Sequence, residues 1–78
     1  MEQGIRNELG PNIKFYRKRI GITQEELTAL LNNEGINIDR PILTKIENQT
    51  RELYDYEIRA FVKILHVHYE DLFDDVSE

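Results

Sequence analysis

Apolar residues fall along this chain at spacings of three and four, with no sustained alternation in steps of two. Ile13, Tyr16 and Ile20 form one such series, and Leu27, Leu30 and Leu31 a second. Ile42, Leu43 and Ile46 form a third, Ile58, Phe61, Val62 and Leu65 a fourth, and Tyr69, Leu72 and Phe73 a short fifth. A period near 3.6 residues places each series on one face of a helix. The residues between the series are punctuators. Pro11 suits a first helical turn, and Gly21 suits the left-handed residue that ends a helix. Thr23 followed by Glu26 reads as a capping box, and Asp39 followed by Pro41 as a second helix start. Asp55 reads as the cap of the fourth helix. The spacing therefore predicts helices over 11–19, 24–31, 40–47, 56–65 and 69–73, an all-α bundle of five short helices. The second and third, joined by a turn, form a helix-turn-helix at its centre.

The connections are polar. Residues 1–10, with Gly4 and Gly10, read as an N-terminal arm on which Ile5 and Leu9 offer a small apolar side. Residues 11–73 make the domain and 74–78 an acidic, frayed tail. Residues 32–39 separate the second and third helices; within them 32–37, polar and carrying Gly35, can loop outward and be shortened without loss of folding, while Ile38 keeps the hydrophobic position ahead of the Asp39 cap. At the end of the third helix Asn48, rather than Gln49, is the expected left-handed residue, because Asn tolerates that conformation best after Gly.

With 78 residues the chain forms one small domain with a modest core. It has no cysteine, which excludes disulfides and thiolate zinc sites and suits a reducing cytosol, so a cytoplasmic location is expected. No apolar run approaches the ~20 residues of a membrane span, and the N-terminus lacks the pattern of a secretory signal. The net charge of −5 opposes a simple nucleic-acid binder, but the charge is unevenly spread. Residues 1–51 hold 8 Lys/Arg against 7 Asp/Glu, whereas residues 52–78 hold 2 against 8. A basic face survives on the first half because screening mutes the distant acid.

The run Gly21-Ile22-Thr23-Gln24-Glu25-Glu26-Leu27, followed by Thr44-Lys45-Ile46-Glu47-Asn48, resembles the Cro/repressor (Xre-type) helix-turn-helix family. The resemblance extends from about Ile13 to Phe73. It implies a lambda-repressor-like fold and sequence-specific binding of double-stranded DNA by a transcriptional regulator or repressor, with the third helix in the major groove. The chain departs from the family in three ways. The turn before the third helix is about five residues longer, Gln49 and His66 stand where relatives usually have Gly, and His68 stands where they usually have a capping Ser.

Candidate functional residues follow from the residue types on the third helix. With Leu43 and Ile46 turned inward, Arg40, Pro41, Thr44 and Lys45 face out. Arg and Lys donate to guanine O6 and N7, Thr bonds a base or touches a thymine methyl, and Pro offers only apolar surface. Gln24, at the start of the second helix and also expected to point outward, is the candidate phosphate clamp, a role the resemblance implies as well. Asn48, Arg51, Lys14 and Lys18 are further phosphate candidates. The resemblance implies a structural ion pair between Arg17 and Glu47. Two-fold dimers are usual for such domains, and Tyr69, Leu72 and Phe73 either supply the dimer contact or close the core. His66 and His68 are a poor match to metal-ligand spacing, and no cysteine nucleophile, phosphate loop or glycine-rich cofactor motif argues for an enzyme, so no cofactor is expected. The rival reading is a protein-interaction module, antitoxin-like, that holds a basic partner on its acidic C-terminal surface.

Overall fold

A computed structural model describes residues 5–74. Within them lie α1 (Gly10–Arg19), α2 (Gln24–Asn33), α3 (Arg40–Glu47), α4 (Asp55–Leu65) and a C-terminal 3-10 turn, Tyr69–Phe73. Four helices and a helical turn, with no strand among the described residues, make the all-α bundle that the periodicity predicts. None of these helices is long and apolar enough to cross a membrane.

Each helix supplies at least one residue to a single core. Ile13 of α1, Leu27 and Leu31 of α2, Leu43 and Ile46 of α3, Phe61 of α4 and Leu72 of the last turn are fully shielded from solvent. Burying one such side chain stabilises the fold by about 1.5–3 kcal/mol, so these few residues carry most of the cohesion of so small a domain. Two residues expected inside are not. Ile20 and Leu30 are each 42% exposed. Ile20 lies past the end of α1, where the chain has left the helical path, and the inward position on that side of α1 goes to Arg17. Leu30 lies to one side of the buried α2 stripe, which runs through Leu27, Thr28 and Leu31.

The helix ends show why the elements begin where they do. Thr23 Oγ1 accepts from the Glu26 N–H at 3.0 Å while the Glu26 carboxylate accepts from the Thr23 N–H at 2.8 Å, a complete capping box. Asp39 caps α3 by accepting from the Ile42 N–H at 3.0 Å. Gly21 at φ 79° turns the chain after α1, as expected of a residue without a Cβ. Asp55 does not cap α4; it is the helix's first residue. The Tyr54 N–H is satisfied instead by the Glu57 carboxylate at 3.0 Å, and Glu57 is fixed there by Arg51.

The connections hold more structure than their polarity suggests. α2 runs two residues beyond its expected end, leaving 34–39 as the loop to α3. That loop does not swing outward. Asn32 Nδ2 donates to the carbonyls of Ile36 at 2.8 Å and Ile38 at 3.2 Å. Ile36 packs half-buried against the core, and Ile38 is fully buried, as its place before the Asp39 cap predicts. After α3, Asn48 keeps a near-helical conformation and Gln49 is the left-handed residue, at φ 68°. Gln49 is held there by three contacts: its N–H to the Ile46 carbonyl (3.0 Å), its carbonyl to the Arg6 N–H (2.8 Å), and its side-chain amide to the Asn7 carbonyl (3.2 Å). His66, at φ 58°, ends α4 in the same conformation.

The N-terminal segment is likewise docked rather than loose from Arg6 onward, while Ile5 is exposed and residues 1–4 lie outside the described part. Asn7 Oδ1 accepts from the Leu9 and Gly10 N–H groups at 2.9 and 2.7 Å, which caps α1. Its Nδ2 donates to the carbonyls of Ile46 at 3.1 Å and Arg51 at 2.8 Å. Leu9 is buried beneath it. Gly10 then allows α1 to start against the C-terminal end of α3. A Cβ at Gly10 would stand 2.2 Å from the Ile46 carbonyl oxygen.

At the other end Asn12, buried in α1, donates through Nδ2 to the Leu72 carbonyl at 2.6 Å and to the Asp74 carbonyl. Leu72 therefore closes the core and is not available as a dimer contact. Tyr69 and Phe73 are about half exposed, their rings 5.3 Å apart. The expected acidic tail is described only as far as Asp74.

Candidate nucleic-acid interface

α3 has two unlike sides. Leu43, Ile46 and Glu47 face inward and are buried. Arg40, Pro41 and Lys45 are exposed, while Thr44 is half-buried. Asn48 is exposed just past the helix end, and Lys14 and Lys18 are exposed on α1. The segment thus offers a short cationic ridge, Arg40 to Lys45, on a helix whose opposite side is locked.

The lock is polar as well as apolar. Glu47 is buried in the base of the pair α2–α3. It accepts from Arg17 Nε at 2.8 Å and from a second guanidinium nitrogen at 3.2 Å, a bidentate pair. Arg17 also donates to the Ile22 carbonyl at 2.9 Å. This pair ties α1 to the end of α3 and shields both charges. A carboxylate so placed is tolerated only because it is fully hydrogen-bonded.

Gln24 departs from the outward pose expected of it. The side chain is half-buried and its Nε2 donates to Glu47 Oε1 at 3.0 Å. Its Oε1 accepts from Arg40 Nε and from Thr44 Oγ1, both at 3.3 Å. The amide is therefore spoken for at both ends, and it bridges the start of α2 to the start, middle and end of α3. An open depression of 340 Å³, lined by Arg17, Thr23, Gln24, Glu25 and Arg40, lies over this junction. Glu25 and Glu26 are exposed in the first turn of α2, so that turn carries anionic as well as N–H character.

Arg51 also differs from the free cation expected of it. Its guanidinium makes two bonds to the Glu57 carboxylate, at 2.9 and 3.1 Å, and donates to the Glu52 carbonyl at 3.0 Å. It lies over the Tyr54 ring at 5.4 Å. The hydrogen bonds to Glu57 raise its already high pKa, although partial burial opposes them. Arg51 thereby braces the α3–α4 connection. His68 donates its backbone N–H to the Asp71 carboxylate at 2.9 Å at the start of the last turn.

The sequence did not point to the roles of Asn7, Asn12 and Glu57, and it misread the orientation of Gln24. For Asn7 no cap position was marked, since it lies three residues ahead of Gly10 and a cap ordinarily stands immediately before the first helical residue. For Glu57, three residues after Tyr54, the half-box spacing was present. Nothing local marks Asn12 or the inward turn of Gln24, whose partners are 60 and 23 residues away.

Comparison with known proteins adds no relative: no family model, no curated protein and no solved structure matches the chain.

Proposed function

We propose that the chain is a sequence-specific double-stranded DNA-binding domain of the Cro/repressor-like kind, a transcriptional regulator that lays α3 in the major groove. One observation carries this reading: the sidedness of α3. Its inner face is fixed by Leu43, Ile46 and the Glu47–Arg17 pair, while Arg40, Pro41 and Lys45 project from the outer face. A rigidly held helix with donors on its free side suits base reading, because misplaced donors lose discrimination. Lys14, Lys18 and Asn48 supply phosphate contacts around it, and these set affinity without selecting sequence. Tyr69 and Phe73 supply the contact between two copies on a near-palindromic site.

The test is selection of bound duplexes from a random pool, followed by titration at rising salt. A recurrent motif whose affinity falls steeply with salt is the expected result. Recovery of no motif overturns the reading. It would then favour a protein-interaction module, for which the exposed Tyr69–Phe73 pair beside Glu70 and Asp74 is the supporting observation.

A further inference from the structure

We propose that the open depression between the 34–39 loop and α4 docks an acidic segment of a partner protein, one that inserts a single apolar side chain flanked by Asp or Glu. Such a site is independent of the DNA-binding reading and adds to it. The depression has a volume of 240 Å³ and is lined by Glu34, Ile36, Tyr56, Arg59, Ala60 and Lys63. It shares no residue with the outer face of α3, whose exposed side chains are Arg40, Pro41 and Lys45.

One wall comes from the turn that is longer than in the family the sequence resembles. Gly35 at φ 85° reverses the chain there, and Asn32 holds the carbonyls of Ile36 and Ile38. The loop therefore keeps a fixed shape, with Ile36 half-buried at the wall. The other wall is one face of α4: Tyr56, Arg59, Ala60 and Lys63 follow one another at spacings of three and four. Lys63 reaches across to the Glu34 carboxylate at 3.0 Å and ties the two walls together.

Charge indicates what fits between them. Residues 52–78 hold 2 Lys/Arg against 8 Asp/Glu, and both cations, Arg59 and Lys63, line this depression. Most of that half of the chain repels an acidic partner, and this place attracts one. Ion pairs among the described residues engage Arg17, Arg51 and Lys63, which leaves Arg59 without a carboxylate partner there. The Lys63 side chain stays 68% exposed in its pair, and an ammonium has three donors, so it too can accommodate a second carboxylate. The two cations stand four residues apart on α4, about 5–6 Å between Cβ atoms, so carboxylates on either side of one apolar residue reach both. The apolar part is Ile36, Ala60 and the ring of Tyr56. Tyr56 is 56% exposed and stacked on Tyr54 with centroids 5.9 Å apart, and exposed aromatics of this kind anchor protein interfaces. An apolar cavity of about 150 Å³ admits benzene, so the space here holds one side chain of leucine or phenylalanine size. The Glu34 carboxylate at the rim disfavours a phosphate group, whose charge is concentrated and which gains nothing from the apolar wall.

The experiment titrates the nitrogen-15-labelled full chain with a nine-residue peptide, a central leucine with two aspartates and two alanines on each side. Saturable shifts of the Ile36, Tyr56, Ala60 and Lys63 amides are expected, with those of Arg40 and Lys45 unmoved. Replacing the peptide's leucine by serine, or its aspartates by asparagines, should weaken binding by about fivefold or more. Tyr56→Ala and Arg59→Glu, both at exposed positions, should keep the parent's fold and weaken binding by about tenfold. No saturable shift at these amides overturns the proposal, and so does equal binding by the leucine-free peptide or by either variant. Equal shifts of the same amides with inorganic phosphate or duplex DNA would mark a general anion patch and overturn it as well. Movement of those amides on dilution of the free protein, or in Val76→Ser, would put a second copy or the chain's own tail in the depression and overturn the assignment to a partner. Selection of DNA sites is a separate measurement, so the DNA-binding reading stands or falls apart from these outcomes.

Discussion

Replacing Gly10 by alanine tests whether α1 and α3 meet as closely as the structure places them. A helix interior ordinarily gains about 0.5–1 kcal/mol from Gly→Ala, because the unfolded chain loses freedom. Here the added methyl would stand 2.2 Å from the Ile46 carbonyl oxygen and 2.9 Å from that of Glu47. Both are backbone atoms at the end of α3, so no side-chain rotation relieves the contact. To restore an ordinary separation one helix must shift by about 1 Å. That shift strains the Asn7 bond to the same Ile46 carbonyl, now 3.1 Å. Because both opposing atoms are backbone, the upper part of the usual overpacking cost applies, about 2–3 kcal/mol, and subtracting the helical gain of about 0.5–1 kcal/mol leaves a net loss of about 1–2.5 kcal/mol. For a domain of this size each kilocalorie lowers the melting temperature by about 4–8 °C. Thermal unfolding of Gly10→Ala followed by far-UV circular dichroism should therefore show a midpoint about 4–20 °C below the parent, with the transition still cooperative. An unchanged or raised midpoint would refute the reasoning, since it would mean that helix propensity alone governs the site and that α1 does not press on the backbone of α3.

Three further perturbations have stated outcomes. Phe61→Ala empties the centre of the core and should cost about 3–5 kcal/mol, a large share of the ~5–15 kcal/mol available to a small domain, as read by urea unfolding. Asn12→Ala leaves the Leu72 carbonyl without its partner and should cost about 1–3 kcal/mol, with faster amide exchange confined to the 69–73 turn. Ile36→Ser, or removal of residues 34–37, should lower the denaturation midpoint by the equivalent of about 1–2 kcal/mol, because the loop contributes apolar packing; a loop that merely loops outward would tolerate both changes.

The periodic signals in the chain were enough to place the helices, because each buried stripe recurs within one element and needs no distant information. The capping box at Thr23 and the cap at Asp39 were equally local, and both formed. What was not legible was the fate of polar residues with distant partners. Arg17 and Glu47 are 30 residues apart, and only the family resemblance suggested their pairing. Gln49 took the left-handed conformation in place of Asn48 because two tertiary contacts, to Arg6 and Asn7, outweighed a local preference that is worth little. Arg51 counted as a free cation in the sequence, and its bonds to Glu57 consume that freedom. A charge in a sequence is a candidate contact only until its partner in the fold is known.

The same distant contacts converge on one element. α3 is a helix of eight residues, too short to be stable by itself. It is held at its start by Asp39 and by the Gln24 contacts to Arg40 and Thr44, and at its end by Glu47, by Asn7 and by the close approach of Gly10. Leu43 and Ile46 alone would fix its depth but would let it rotate or slide, since apolar contact has little directional preference. Hydrogen bonds are directional, and those made here arrive from α1, from α2 and from the N-terminal segment. A helix so constrained has one orientation to offer a partner and little ordering entropy left to lose on binding. Under the proposed DNA-binding reading, that arrangement suits recognition by Arg40 and its neighbours on the exposed side of α3.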